Sequence, residues 1–318
     1  MNETDAVQPT DNALAQETLP KPLIKAGWLR GLIFLIIMFV VTTVLGVAVV
    51  FALGKPIASM EDLMGSLGTP TLTAVYGIIL LVTMLLVFIF RTQVDRRSLV
   101  SLGFSFGKQD RRDLVAGLLW GIGVVTTVFL ILLTSGQIRV VAFEFPMGQL
   151  AWGILLFVFV ALQEEIVSRG YLLNNFMQSA NRYLALVLVS VLFALGHGTN
   201  PNVSTIGLAN IVLAGLLLGI YYVHKQNLWF PIGLHFTWNL FQGYVLGSPV
   251  SGVGVDSIVR IEFAGNELLT GGDFGFEASL VTTLVTIAAI LVIHFKYRAK
   301  KPDSAIEPVG PDMETDPT

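Results

Sequence analysis

Glu164 and Glu165, in Gln163-Glu164-Glu165-Ile166-Val167-Ser168-Arg169-Gly170, are the only two carboxylates inside the long apolar spans of this chain. An acidic side chain at mid-bilayer costs roughly 2.5–3.5 kcal/mol on insertion scales, so such residues mark functional positions. Two histidines fall in equally apolar surroundings, His197 in Phe193-Ala194-Leu195-Gly196-His197 and His235 in His235-Phe236-Thr237-Trp238-Asn239. Two acids, two imidazoles and an amide in lipid-buried segments describe a hydrolytic or metal-binding centre. Glu165 and Arg169 stand four apart with the acid first, the favoured order for a helical ion pair. Glu164 is turned about 100° from Glu165 on a helix. This makes Glu164 the reactive carboxylate and Glu165 with Arg169 the pair that orients the helix.

Helical arithmetic brings these groups together. The polar stretch Gln178-Ser179-Ala180-Asn181-Arg182 is the turn between two apolar segments. Glu164 precedes Asn181 and His197 follows it by nearly equal numbers of residues, so an antiparallel hairpin sets them at one height. Phe193, one turn before His197, walls the same pocket. His235 and Asn239 share a face at i and i+4, about one turn after Pro231. That places the site near the cytoplasmic face. Residues 170–182 are then expected to project beyond the membrane, and Gly198–Asn202 to line a watery chamber at membrane depth.

The elements that must hold this constellation are membrane helices. Of 318 residues, 54% are hydrophobic and 13% charged, against about 25% charged in soluble domains. Apolar segments long enough to approach a bilayer's thickness fall at 28–53, 71–90, 114–134, 147–168, 183–197, 204–223, 229–246 and 279–295, the fifth being short. With the N-terminus in the cytoplasm, sixteen of the nineteen Lys and Arg residues lie on the inside, as the positive-inside bias requires. The expected fold is an all-α polytopic bundle of about eight transmembrane helices with both termini cytoplasmic. Its expected divisions are a disordered polar tail over 1–27, N-terminal transmembrane helices over 28–113 and a catalytic core over 114–246. An extracytoplasmic loop over 247–278, a last transmembrane helix over 279–296 and a disordered tail over 297–318 complete it. The loop is Gly-rich and carries Glu262, Glu267, Asp273 and Glu277. It reads as a plain surface connection rather than a lid.

Chemistry by cysteine is excluded because the chain has none. The polar, acidic first twenty residues do not form a signal peptide. Gly215 and Gly219 form a small-xxx-small face for close helix packing. His224 and His294, at helix ends beside Lys225 and Lys296, read as interfacial.

Taken in order, Glu164-Glu165-x-x-x-Arg169, Phe193-x-x-x-His197 and His235-x-x-x-Asn239 resemble the CPBP family, the CAAX proteases and bacteriocin-processing enzymes of the Abi domain. The segments Gly215–Tyr222 and Asn227–His235 are similar to that family's third and fourth blocks, and the resemblance covers roughly residues 114–246. It implies an intramembrane endopeptidase in which Glu164 activates water with His197, while His235 and Asn239 stabilise the oxyanion. It equally admits a metalloprotease, with Zn²⁺ or another divalent metal on His197 and His235 and a carboxylate as base or third ligand. The expected partners are a membrane protein or peptide substrate and the lipid bilayer, without nucleic acid. The expected location is a bacterial plasma membrane. A non-proteolytic scaffold or immunity protein, and an ion-coupled transporter, are the alternative readings.

Overall fold

The computed structural model describes residues 20–52, 54 and 67–298. Most of the two expected tails lies outside these residues. Each of the eight apolar segments is helical: α1 (Gly27–Ala52), α2 (Thr69–Ile89), α3 (Lys108–Thr134), α4 (Met147–Glu165), α5 (Arg182–Gly196), α6 (Thr205–Lys225), α7 (Trp229–Leu240) and α8 (Leu280–Tyr297). The protein is therefore an all-α polytopic membrane bundle. Six of these helices are long and apolar enough to cross a bilayer. The other two are α5 and α7, which precede or carry the two histidines of interest. Helix α7 has nine of its twelve residues buried, as an all-round apolar helix in a bundle core requires.

Helix ends follow local chemistry. Asn181 caps α5 by accepting from the Tyr183 amide at 2.9 Å, so the Gln178–Arg182 turn lies where the sequence places it. Ser204 caps α6 through Gly207 at 3.0 Å, and Ser279 caps α8 through Val281 at 3.0 Å. Each satisfies an orphan backbone donor of a first turn.

Helix α4 does not stop at Glu165. It widens into a π-helical stretch, Ile166–Leu173, and closes with a last α turn, Asn174–Phe176. Within the stretch expected to project beyond the membrane, Gly170–Leu173, Asn175 and Phe176 are buried in the protein, as are Ile166–Arg169 before them. The start of α1 covers this segment: Gly27 and Gly31 admit Asn175 and Phe176 against their backbone. Arg30 Nε donates to Asn175 Oδ1 at 3.0 Å.

The 247–278 connection also departs from a plain loop. It contains a strand, β2 (Val259–Phe263), which pairs antiparallel with β1 (Ile138–Phe143) from the α3–α4 connection. The register sets Ile138 opposite Phe263 and Arg139 opposite Glu262, with a bulge between Val140 and Ala142. The apolar face of this ribbon joins Val125, Phe129 and Phe276 in a small core at that end of the bundle. The small-xxx-small face packs as expected, Gly215 against Ser190 and Gly219 against Leu186 of α5.

Candidate active site

Glu165 is fully buried at the last α-helical position of α4. Its Oε1 lies 2.7 Å from Arg169 Nη1 and 2.8 Å from His235 Nδ1. Arg169 is held in turn by the Gly215 carbonyl at 3.1 Å and by the Phe193 ring, 4.7 Å from its guanidinium carbon. One turn of α4 thus ties together α5, α6 and α7. The π stretch begins directly after the two acids, a placement common for π-bulges at functional positions.

Glu164 faces the other way, into a cavity of about 1440 Å³. Its Oε2 stands 4.0 Å from His197 Nε2 and 3.8 Å from His235 Nε2. His197 caps the end of α5, and its Nδ1 meets the Phe193 carbonyl at 2.8 Å. A carbonyl only accepts, so Nδ1 carries the proton there and the Nε2 lone pair of a neutral ring points at Glu164. His235 is fixed likewise. Its Nδ1–H donates to the Glu165 carboxylate, which leaves Nε2 towards the cavity. The two acids, 100° apart on one helix, therefore address the two nitrogens of one imidazole. Spacing alone did not disclose that bridge.

Asn239, buried one turn beyond His235, lines the same cavity. So does the turn after α5, through Thr199, Asn200 and Pro201. The structure thus brings Glu164, Glu165, Arg169, His197, His235 and Asn239 together. By helical rise, Glu165 lies about 15 Å along α4 from Asn175, where Arg30, Arg91 and Asp95 mark the polar end of the bundle.

Two cavity residues were not singled out from the sequence. Tyr76 of α2 reaches it from the side of α4. Glu277, noted only as a loop acid, borders it from beyond α7, accepting from Ser251 Oγ at 3.2 Å and from the Ser251 amide. Burial pushes the Glu277 carboxyl up, opposed by the Ser251 hydrogen bonds and the nearby His197. Its signal in sequence was weak, since it lies far from any motif in a Gly-rich stretch.

Glu164 Oε2 and Glu165 Oε2 are buried without a hydrogen-bond partner, a state that native interiors rarely leave unanswered. An orphaned carboxylate oxygen beside two imidazole nitrogens suits a donor such as water. The donor types also suit zinc. Their separations are wider than the ~3.3 Å between tetrahedral ligands at about 2.0 Å from a shared ion, and no three His, Cys, Asp or Glu groups among the described residues form a ready metal set.

No curated protein and no solved structure matches the chain. Residues 146–241 match the family model described as Type II CAAX prenyl endopeptidase Rce1-like. That stretch contains all six candidate site residues. Over it the chain is similar to the Rce1-like endopeptidases, which bears out the resemblance to the CAAX-protease family read from its motifs.

Proposed function

We propose that this protein is an intramembrane endopeptidase that hydrolyses peptide bonds of membrane-associated proteins or peptides, with Glu164 as general base. The observation that carries the reading is the orphaned Glu164 Oε2 with two imidazole nitrogens within 4.0 Å. Glu164 takes a proton from a water held between its Oε2 and His197 Nε2, and the water oxygen attacks the scissile carbonyl. The carbonyl oxygen becomes an oxyanion, for which the Asn239 amide and a protonated His235 Nε2 are the donors. Glu165 on Nδ1 stabilises the imidazolium form of His235, and Arg169 holds Glu165. Collapse of the intermediate breaks the C–N bond, and Glu164 returns its proton to the leaving amine. Fixed donors of this kind act most strongly in a dry site.

In the metal-assisted form of the same reaction, His197 and His235 would hold a divalent ion such as Zn²⁺, which supplies Lewis acidity. We place the protein in a bacterial plasma membrane, on the basis of its charge bias.

The test uses purified wild type and Glu164→Gln on a panel of fluorogenic and membrane-tethered peptides, each with and without a zinc chelator. Loss of a general base costs about 10²–10⁴-fold, so cleavage should fall at least a hundredfold with the melting temperature unchanged. Survival of wild-type cleavage under chelation assigns the carboxylate mechanism; its loss, restored by zinc, assigns the metal. Equal cleavage by both proteins would overturn the proposal.

A further inference from the structure

The end of the bundle where α5 begins and α6 and α8 finish gathers basic residues that the site does not use. His224 Nε2 lies 3.1 Å from His294 Nδ1, one nitrogen donating and the other accepting. The Tyr183 ring packs against both imidazoles, with centroids at 6.4 and 6.0 Å, and the Arg182 guanidinium carbon lies 5.1 Å over the same ring. Lys225 follows His224 as the last residue of α6. Beyond His294, Lys296 lies over Tyr297 and Arg298 over Phe295.

Among the described residues, the exposed cations of this group have no ion pair, as is also true of Arg96, Arg111, Arg112 and Arg139; their gathering around one aromatic and imidazole stack sets them apart. Arg30, Arg91, Arg169 and the exposed Arg260 each meet a carboxylate. Among the described residues, Arg182, Lys225, Lys296 and Arg298 meet none. Cations drawn together without a carboxylate repel one another, and aromatic stacking holds the guanidinium of Arg182 in place without neutralising it. The arrangement is complementary to an anion.

The surroundings indicate which anion. Directly along the helices from this cluster, Leu184 and Leu188 of α5 and Leu291 and Phe295 of α8 expose their side chains. Helices α5 and α8 both pack on α6. Basic residues at the ends of α5, α6 and α8, beside exposed apolar side chains on α5 and α8, match a lipid headgroup with its chains. This is the Lys- and Arg-rich end of the bundle, which the positive-inside bias turns towards the anionic leaflet.

We propose that Arg182, His224, Lys225 and His294 bind the phosphate of an anionic phospholipid, whose acyl chains lie along α5 and α8. The inference is independent of the proteolytic reading. The acidic stretch 302–318 of the chain is a competing occupant that the test separates.

Full-length protein in neutral detergent is mixed with phosphatidylglycerol or phosphatidylcholine and analysed by native mass spectrometry. Wild type should retain phosphatidylglycerol in preference to phosphatidylcholine. The double variant Arg182→Gln, Lys225→Gln should lose that retention by on the order of tenfold. The charge-keeping variant Arg182→Lys, Lys225→Arg should keep most of it, which excludes unfolding as the cause. The variant Arg139→Gln, Arg260→Gln, altered at the opposite end, should behave as wild type. Thermal stabilisation by inorganic phosphate alone, lost in the same double variant, would assign the site to phosphate as such rather than to a whole lipid. Equal retention by wild type and the double variant would overturn the proposal. So would lipid retention that appears only when residues 302–318 are removed, because the tail then fills the site.

Discussion

Two buried charge clusters lie along helix α4, and they differ in how completely their hydrogen bonds are met. At the polar end, Asp95 takes Arg30 Nε at 2.8 Å on one oxygen and Arg91 Nη1 at 2.9 Å on the other. Tyr171 and Asn175 add donors at 3.3 Å, and the remaining guanidinium nitrogens reach Ile24, Ser101, Asn174, Asn175 and Gln178. At the cavity, Glu165 serves Arg169 and His235 with one oxygen and leaves the other unpaired, while Glu164 Oε2 meets no donor. The same residue types thus build a fully bonded clamp in one place and a partly bonded carboxylate pair in the other. A satisfied buried network contributes rigidity. A partly bonded one beside a cavity keeps acceptor oxygens free for other donors.

The contrast predicts opposite phenotypes. Glu164→Gln should remove at least a hundredfold of cleavage and leave thermal melting in detergent unchanged; a large loss of stability would move Glu164 into the clamp class. Asp95→Ala should do the reverse. It strands two buried guanidinium groups, a loss of the kind that costs about 3–5 kcal/mol, so the melting temperature should drop steeply while the folded fraction cleaves normally. A mild Asp95→Ala melt would erase the distinction.

Glu277 tests the boundary between the classes, because it borders the cavity yet is bonded to Ser251. Its raised pKa means that the folded state holds a proton more tightly than the unfolded chain does. That contribution is complete below the ordinary carboxylate range and is lost as pH rises through the folded value. Glu277→Gln should therefore melt with wild type near pH 4 and gain about 2–4 °C on it by pH 8, read from melting curves across that range. A gain confined to low pH would reverse the sign and refute the assignment. Smallest of all, Arg260→Gln breaks an ion pair to Glu144 whose side chains are 60% and 50% exposed. Solvent screens such pairs, so neither melting nor cleavage should change measurably.

The convergence of Glu164 with His197 was legible because both lie on helices joined by one short turn, and helical rise alone fixes their heights. The Glu165–Arg169 pair was legible for the same local reason. The bridge through both nitrogens of His235 was not, since it depends on how α7 is rotated against α4. The clamp escaped notice because its members come from positions 30, 91, 95 and 175, and no local pattern links them. It also explains why most of 166–176 is buried: Ser168, Arg169, Asn174 and Asn175 look solvent-bound until Arg30 and Asp95 meet Asn175, Arg91 meets Asn174 and Gly215 meets Arg169. Strand β2 did leave a trace, the alternation Val259-Arg260-Ile261-Glu262-Phe263, but its partner lies more than a hundred residues earlier. Family likeness over 146–241 covers the six candidate site residues together with Asn175 and Gly215, but not Arg30, Arg91, Asp95 or strand β2.

Helix α7 rests on α3 through glycines. A side chain at Gly117 would collide with the Phe230 backbone, one at Gly121 with Leu234 and Thr237, and one at Gly233 with Leu114 and Leu118. Two of these positions lie in α3, outside the stretch that matches the family model, yet they set how near His235 can come to Glu164. Any methyl group added at 117 or 121 has to be absorbed by sliding α7, so the spacing between His235 and Glu164 would shift without either of them being changed. Mutational tolerance along α3 should accordingly be periodic, permissive on its lipid face and strict at those two positions, and sequence drift in related chains should carry the same imprint.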